Sequence, residues 1–346
     1  MKKMIKFPSI EQFRNVVVSV SHSAKYLGQD DENNPIFNEE AIMPTLTFTG
    51  TVKIHGTNAG ISYNKEDGLW AQSRTEIITP EKDNSNFAKF VHENEDSLLT
   101  LLKNVAKDIN LKDEDTLTMY GEWCGKGIQK GTGINNLEKS LLVFGLKVTP
   151  AADIASYWVN VSSPNLLENK EVRVYNIDTF QKYSIDIDFS DPANAQKQLL
   201  EYTSIVEKEC PVAKSFGFTG IGEGIVWTAF YKDSLLRFKV KGEKHASSKK
   251  KNKVSIAPEK LKSITEFVDS VVTENRFNQC ISENFSDDLG MKNVGDVLKW
   301  MNQDIQKEES DVLEASELTF KDVSSSISKK VVRMLKEHLD NIAFKS

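Results

Sequence analysis

Thr51-Val52-Lys53-Ile54-His55-Gly56-Thr57-Asn58 places a lysine between two strand-like runs, Leu46 to Val52 before it and Ala59-Gly60-Ile61-Ser62-Tyr63 after it. Both runs are rich in threonine, β-branched and aromatic residues, the composition of strands. A lysine at a strand end can reach a ligand while its backbone stays fixed. The ammonium form is no nucleophile, with a reference pKa of about 10.4. Partial burial or neighbouring cations free the amine, and a free lysine amine can take a phosphoryl or acyl group covalently. Gly56 predicts a turn made without a Cβ. Taken alone, the stretch fits a solvated strand end equally well, so partner groups must be sought downstream.

The chain has 346 residues, 39% apolar and 27% charged, which suits a soluble globular protein of about two domains. Its net charge of −6 argues weakly against a nucleic-acid partner. Local clustering matters more than the total, and Lys239 to Lys253 holds seven lysines against one acid, Glu243. Cys124, Cys210 and Cys280 are far apart and odd in number, so neither a disulfide framework nor a zinc site is expected. The charged start, Met1 to Pro8, leads into no apolar segment, and no window approaches the ~18 apolar residues of a membrane span. A cytoplasmic protein (host cytoplasm if viral) with no membrane partner is expected. The Gly121 to Gly127 loop is too short for a P-loop and lacks its Ser/Thr.

Further candidates follow in order. Ile10 to Val20 predicts a short helix and Asp30 to Pro35 a surface loop. Gly68 to Thr75 alternates as a strand that pairs with Ala59–Tyr63 across Asp67-Gly68, placing Arg74 at its exit. Asn84 to Asn110 predicts one packing helix. Thr116 to Trp123 is a strand ending on Gly121-Glu122, followed by a glycine-lysine loop with Lys126 and Lys130. Ser140 to Val148 is a buried strand containing Phe144, Glu171 to Ile177 a possible strand, and Pro192 to Glu209 a helix. Asp186, Asp188 and Asp191 fail the EF-hand pattern at its sixth and twelfth positions, so a half-buried strand with solvated acids is expected. Glu223 follows a glycine-rich loop and precedes a strand. In Leu235 to Gly242, period two puts Leu236, Phe238 and Val240 on one face and Arg237, Lys239 and Lys241 on the other. Two lysines on one face can grip a phosphate and depress the pKa of a third. From Pro258 on, apolar spacing predicts three helices, through Val268, Met301 and Val331.

Lys-Ile-His-Gly-Thr-Asn resembles the nucleotidyl-lysine motif of the covalent nucleotidyltransferases, and its ending most resembles the RNA ligase branch. Tyr120-Gly121-Glu122 resembles their third motif. Gly127-Ile-Gln-Lys-Gly131 resembles the double-strand RNA ligases, Glu223-Gly-Ile-Val226 the fourth motif, and Lys239-Val-Lys241 the fifth. In order and over about residues 40–245, these segments resemble the RNA ligase 2 family, which includes phage double-strand RNA ligases and trypanosome RNA-editing ligases. One departure is Val52, where some members carry a glutamate that reads the adenine amino group. Adenine would then be read by backbone carbonyls and by stacking on Phe144.

The resemblance implies an α+β fold: an antiparallel-sheet nucleotidyltransferase (adenylation) domain with flanking helices over residues 1–246. A basic linker over 247–257 and a small all-helical C-terminal domain over 258–346 would follow. It implies Lys53 as nucleophile, with Lys239, Lys241 and Glu223 catalytic, and nucleotide contacts from Val52, Ile54, Asn58, Arg74, Glu122, Phe144, Glu223, Lys239 and Lys241. Glu122 and Glu223 would hold Mg²⁺ or Mn²⁺ through water, and Arg74, His55, Lys126 and Lys130 would meet RNA. The lysines of Ala246 to Lys253 could contact nucleic-acid backbone. The implied activity is ATP-dependent joining of RNA 3′-hydroxyl and 5′-phosphate ends by a monomer, on a nicked duplex, through lysyl-AMP. Another lysyl-nucleotidylate enzyme (a DNA ligase or capping guanylyltransferase) and a non-catalytic nucleic-acid-binding protein remain alternatives.

Overall fold

In the computed structural model, the structure describes residues 2–152, 154–232, 234–245, 264–285, 289–315 and 318–343. The expected linker 247–257 lies outside them. The described strands are β1 (Tyr26–Gln29), β2 (Pro35–Phe37), β3 (Thr45–Val52), β4 (Thr57–Asn64), β5 (Gly68–Ser73), β6 (Ile77–Ile78), β7 (Thr116–Cys124), β8 (Ser140–Thr149), β9 (Tyr157–Val159), β10 (Val174–Asn176), β11 (Tyr183–Asp188), β12 (Gly224–Tyr231) and β13 (Ser234–Lys241). The described helices are α1 (Phe13–Lys25), α2 (Phe87–Glu93), α3 (Glu95–Asp108), α4 (Gln196–Lys208), α5 (Pro211–Ser215), α6 (Ile264–Val271), α7 (Glu274–Asn284), α8 (Val294–Glu308), α9 (Ser310–Ala315) and α10 (Phe320–Ala343).

The chain divides into two compact units. The first comprises Met1–Glu11, Thr47–Ile185 and Tyr202–Lys239. It holds a seven-stranded sheet in the order β10-β8-β7-β4-β5-β6, with β9 on β8, and most of a four-stranded sheet in the order β11-β3-β12-β13. Alternation sorts the side chains of the larger sheet. Ala59, Ile61, Leu69, Ala71, Leu117, Met119 and Trp123 pack with Phe87, Phe90, Leu98, Leu102 and Val105 of α2 and α3. The opposite face carries Ser62, Gln72, Thr118 and Tyr120, all buried. Ser62 and Thr118 share a hydrogen bond of 2.8 Å there. In the smaller sheet, Phe48, Trp227 and Phe238 are fully buried on one face, with the Phe48 and Phe238 rings 5.2 Å apart.

The N-terminal segment seals the polar face of the larger sheet. Gln72 Nε2 donates to the Ile5 carbonyl (2.6 Å) and the Ile5 N–H donates back to Gln72 Oε1 (3.2 Å). The Tyr120 hydroxyl donates to the same Ile5 carbonyl at 2.7 Å. Further on, the Glu11 N–H donates to the Arg237 carbonyl and the Lys239 N–H to the Glu11 carbonyl. The segment is therefore tied to both sheets.

The second unit comprises Gln12–Leu46, Asp186–Glu201 and Val240–Ser346. Its helical core is built on Phe267, Val268, Val271, Val297, Met301, Ile305, Ile327, Val331 and Leu335. Arg276 is fully buried in it, with Nε 2.9 Å from Asp304, Nη2 2.9 Å from Glu309 and Nη1 donating to the Val271 carbonyl at 2.6 Å. All three charges are thus paired or hydrogen-bonded, the condition under which burial of charge is tolerated.

Several elements differ from expectation. The first helix starts at Phe13, not Ile10. The residues flanking Asp30–Pro35 pair as the β1–β2 hairpin. The single helix expected over Asn84–Asn110 is two, because Asn94 leaves helical geometry (φ −118°, ψ 23°) and its side chain donates to the Phe90 carbonyl. Pro192–Ala195 is a 3-10 turn before α4, as proline at a first helical position allows. Where three C-terminal helices are expected, the described residues form five, α6 to α10. The strand expected over the aspartates is β11, alternating buried and exposed. All three cysteines are free and buried.

Candidate active site

Lys53 follows β3 directly, and its N–H extends the ladder by donating to the Gly224 carbonyl at 2.8 Å. Phe48, Gly50 and Val52 point to the buried face, so alternation turns Lys53 to the other side. Gly50 is needed beneath it, because a Cβ there would lie 2.8 Å from the Trp227 ring.

The Lys53 ammonium donates to Glu223 Oε2 at 2.7 Å. Glu223 is 3% exposed and Lys53 20%. His55 Nδ1 lies 3.2 Å from the same oxygen; a carboxylate only accepts, so the proton of this contact sits on Nδ1. Glu122, at the end of β7, reaches the same loop by accepting the Gly56 N–H at 3.2 Å. Burial, first of all, and the charge of Glu223 push the Glu122 carboxyl up to about 7, against the opposing pull of Lys53 and His55. Four groups drawn from both sheets of the first unit therefore converge: Lys53, His55, Glu122 and Glu223.

Gly56 is required for a reason other than the expected one. Its φ is not positive; instead, a Cβ would stand 2.3 Å from the Trp123 carbonyl oxygen and 3.0 Å from Glu122 Cγ. The residue lets the lysine loop approach β7 closely enough to meet Glu122. Asn58 then sits directly opposite Glu122 in the β4–β7 ladder.

Phe144 sits at a bulge in β8. Tyr120 faces Gly145 and Gly121 faces Val143, so Phe144 is the extra residue of β8. Val143 and Leu146, three apart, both enter the helix-side core, which leaves Phe144 for the opposite face. Phe144 there stays partly exposed and packs against Phe7 at 5.1 Å.

In β13, Phe238 and Val240 are buried while Arg237, Lys239 and Lys241 are half-buried, as expected from the sequence; Leu236, expected on the buried face, is itself only half-buried near the strand's start. Lys239 ends the first unit; Lys241 belongs to the second. Val52 and Ile54 are buried on either side of Lys53. Arg74 lies past the end of β5, donating to Ser9 Oγ at 3.2 Å. Lys126 is exposed and paired with Glu138 at 2.6 Å, and Lys130 is exposed on the same loop. Among the described residues, neither makes a hydrogen bond or ion pair with the Lys53 cluster. Sequence reasoning gave no site role to Phe7, which packs on Phe144, or to Trp158 and Arg237, which pack on Phe7. Arg237 had a signal, its place two residues before Lys239 on one face; Phe7 had none, since its partners lie more than a hundred residues away.

The family model described as RNA ligase matches residues 46–241, more than half of the chain. No curated protein matches the sequence. Among solved structures, the chain is similar to Naegleria gruberi RNA ligase with PPi, at 14% identity and a TM-score of 0.40, covering 68% of this chain and 56% of that one. A mutant of the same ligase with ATP and Mn shows 13% identity, a TM-score of 0.43 and coverage of 69% and 56%. A mutant with AMP and Mn shows 15%, 0.41, and 68% and 56%. The chain thus spans 56% of the length of these proteins.

Proposed function

The chain belongs to the RNA ligase family, and on that premise we propose that it is an ATP-dependent RNA ligase whose nucleophile is Lys53. The observation that carries this reading is the convergence of the Lys53 ammonium on buried Glu223, with Glu122 brought in from the second sheet. In the first step, the Lys53 amine attacks the α-phosphorus of ATP. A P–N bond forms, the P–O bond to the β-phosphate breaks, and pyrophosphate leaves. The amine must first give up a proton, and the carboxylate 2.7 Å away, Glu223, is placed to take it. In the second step, a 5′-phosphate of RNA attacks the lysyl-AMP phosphorus and frees the lysine. In the third, an RNA 3′-hydroxyl attacks the activated 5′-phosphate, forms the phosphodiester and releases AMP.

Each step gathers negative charge at phosphorus, which Lys239 and Lys241 are proposed to offset. Phe144 would stack on adenine, a contact worth roughly 1–3 kcal/mol, and Asn58 and Glu122 would hold the ribose. His55, buried against Glu223, positions that carboxylate. Arg74 would orient the 5′-phosphate end, since a guanidinium fork matches phosphate geometry.

Two neighbouring acids, one held near neutrality by burial and by the other's charge, fit a divalent cation. Among the described residues no group of three or more His, Cys, Asp or Glu is spaced to ligate one directly, so Glu122 and Glu223 would hold it through water. When bound, Mg²⁺ or Mn²⁺ supplies charge neutralisation at the triphosphate.

The proposed substrate is a nicked RNA duplex, the role repair, and the acting species a monomer. Protein incubated with α-labelled ATP and Mg²⁺ should gain a covalent label that Lys53→Ala abolishes. Label retained by Lys53→Ala would remove the lysine from its role, and label from GTP instead of ATP would favour a capping guanylyltransferase. Sealing of nicked RNA set against nicked DNA and single strands tests the substrate.

A further inference from the structure

Arg237 is a costly residue that the chemistry above does not use. Its guanidinium carbon lies 4.1 Å from the centre of the Trp158 ring and 5.2 Å from that of Phe7. Its Nη1 is buried and donates no hydrogen bond. Burial pulls its pKa down to about 10, which still leaves it charged at neutral pH. Cation–π attraction can hold such a cation between two rings. It does not replace the unmade hydrogen bond, whose loss is most costly for a charged donor.

The surroundings say where the guanidinium stands. A Cβ on Gly145 would lie 3.2 Å from Arg237 Nη2 and 3.3 Å from the Trp158 ring. Gly145 is the neighbour of Phe144 in the bulge of β8, and Phe7 touches both Arg237 and Phe144. Arg237 also shares its strand face with Lys239, one two-residue step of roughly 6.6 Å along β13. A nucleotide whose phosphates lie at Lys239 and whose base lies on Phe144 would therefore bring its base edge toward Arg237. Val52, beside the nucleophile, has no polar side-chain atom to read that edge.

We propose that Arg237, caged by Trp158 and Phe7, donates a hydrogen bond to a ring nitrogen of the purine stacked on Phe144 and so reads the base of the nucleotide substrate. This rests on the assignment of the Lys53 site to ATP. A guanidinium has only donors, so it selects an acceptor: N1, N3 or N7 of adenine, never the amino group. Arg237 recognises a purine and does not by itself reject guanine. The cage is completed by Phe7, from a segment that precedes the region matched by the family model.

The test is equilibrium binding to the full-length protein, read by calorimetry without divalent ions so that no transfer occurs. The probes are ATP and its 1-deaza, 3-deaza and 7-deaza analogues, each of which replaces one ring nitrogen by CH. One analogue is expected to bind the wild-type protein about tenfold more weakly than ATP. Arg237→Met should bind ATP about tenfold more weakly and bind that analogue no worse than ATP. The proposal is overturned if the wild-type protein binds all three analogues as tightly as ATP, a result that needs no variant. It is equally overturned if Arg237→Met lowers affinity for ATP and every analogue by the same factor, the mark of a packing role. Failure of the wild-type protein to bind ATP at all would instead strike the assignment of the site.

Discussion

A single carboxyl shows how the site stores its reactivity. Glu122 ends a strand, accepts one backbone N–H and is held up to about 7 chiefly by burial, against an ordinary value of 4.5. The folded state therefore binds a proton more readily than the unfolded chain between those two pH values. Below pH 4.5 both states are protonated and the residue costs no stability. As pH rises through this window the folded state must ionise a partly buried acid, and above pH 7 the cost is fully present, at most about 3 kcal/mol. Glu122→Gln keeps the acceptor for Gly56 and removes the charge. In chelator and without nucleotide, its melting temperature should match the wild type near pH 4 and rise above it through pH 5–7, and the gain should level off beyond pH 7. Ligation should meanwhile be lost. A difference in melting temperature that is flat with pH would refute the account of the carboxyl. The same residue marks the limit of reading the sequence: Gly-Glu at a strand end named Glu122, but its place beside the lysine loop depends on Gly56 fitting against the Trp123 carbonyl, which no spacing rule reveals.

At the scale of elements, alternation was the reliable guide. It correctly paired β4 with β5 across Asp67-Gly68 and sorted Phe238 and Val240 from Arg237, Lys239 and Lys241 on β13, because a buried face imposes period two on any strand that covers it. It was blind where the period breaks. The bulge at Phe144 inserts a residue into β8 opposite Tyr120 and Gly121, and nothing in the spacing of β8 announces it. The N-terminal segment was equally opaque: Met4 to Ser9 is no helix or strand, yet Ile5 is hydrogen-bonded to Gln72 and Tyr120 and Phe7 packs on Phe144. A chain beginning at Glu11 keeps every motif but uncovers Tyr120, Gln72 and Phe144. It should lose ATP binding by at least tenfold and unfold at lower temperature, as calorimetry and a thermal melt would record. Full ATP affinity in that truncation would reduce the segment to a cover.

The molecule as a whole carries a charge of −6, which by itself opposes association with a polyanion. Binding RNA therefore demands that cations be concentrated, and the sequence concentrates them in one place, with seven lysines between Lys239 and Lys253. Two of these, Lys239 and Lys241, lie in β13 and are assigned to the nucleotide; Lys244 follows β13, and the last four, Lys249, Lys250, Lys251 and Lys253, are the ones proposed to meet the nucleic-acid backbone. Each phosphate neutralised on a duplex releases counterions and adds about 0.9 to the slope of log affinity against log salt. Replacing those four lysines by glutamine should flatten the slope for a nicked RNA duplex by as much as roughly 3–4 and weaken binding most at low salt. Formation of lysyl-AMP needs no RNA, so labelling by ATP should be unchanged in the same variant. Titrations between 50 and 200 mM salt, about the range over which such contacts are felt, decide the matter. Parallel slopes for variant and wild type would mean that the basic run does not touch the duplex, and that an acidic protein grips RNA through the scattered cations of its first unit, Arg74, Lys126 and Lys130 among them.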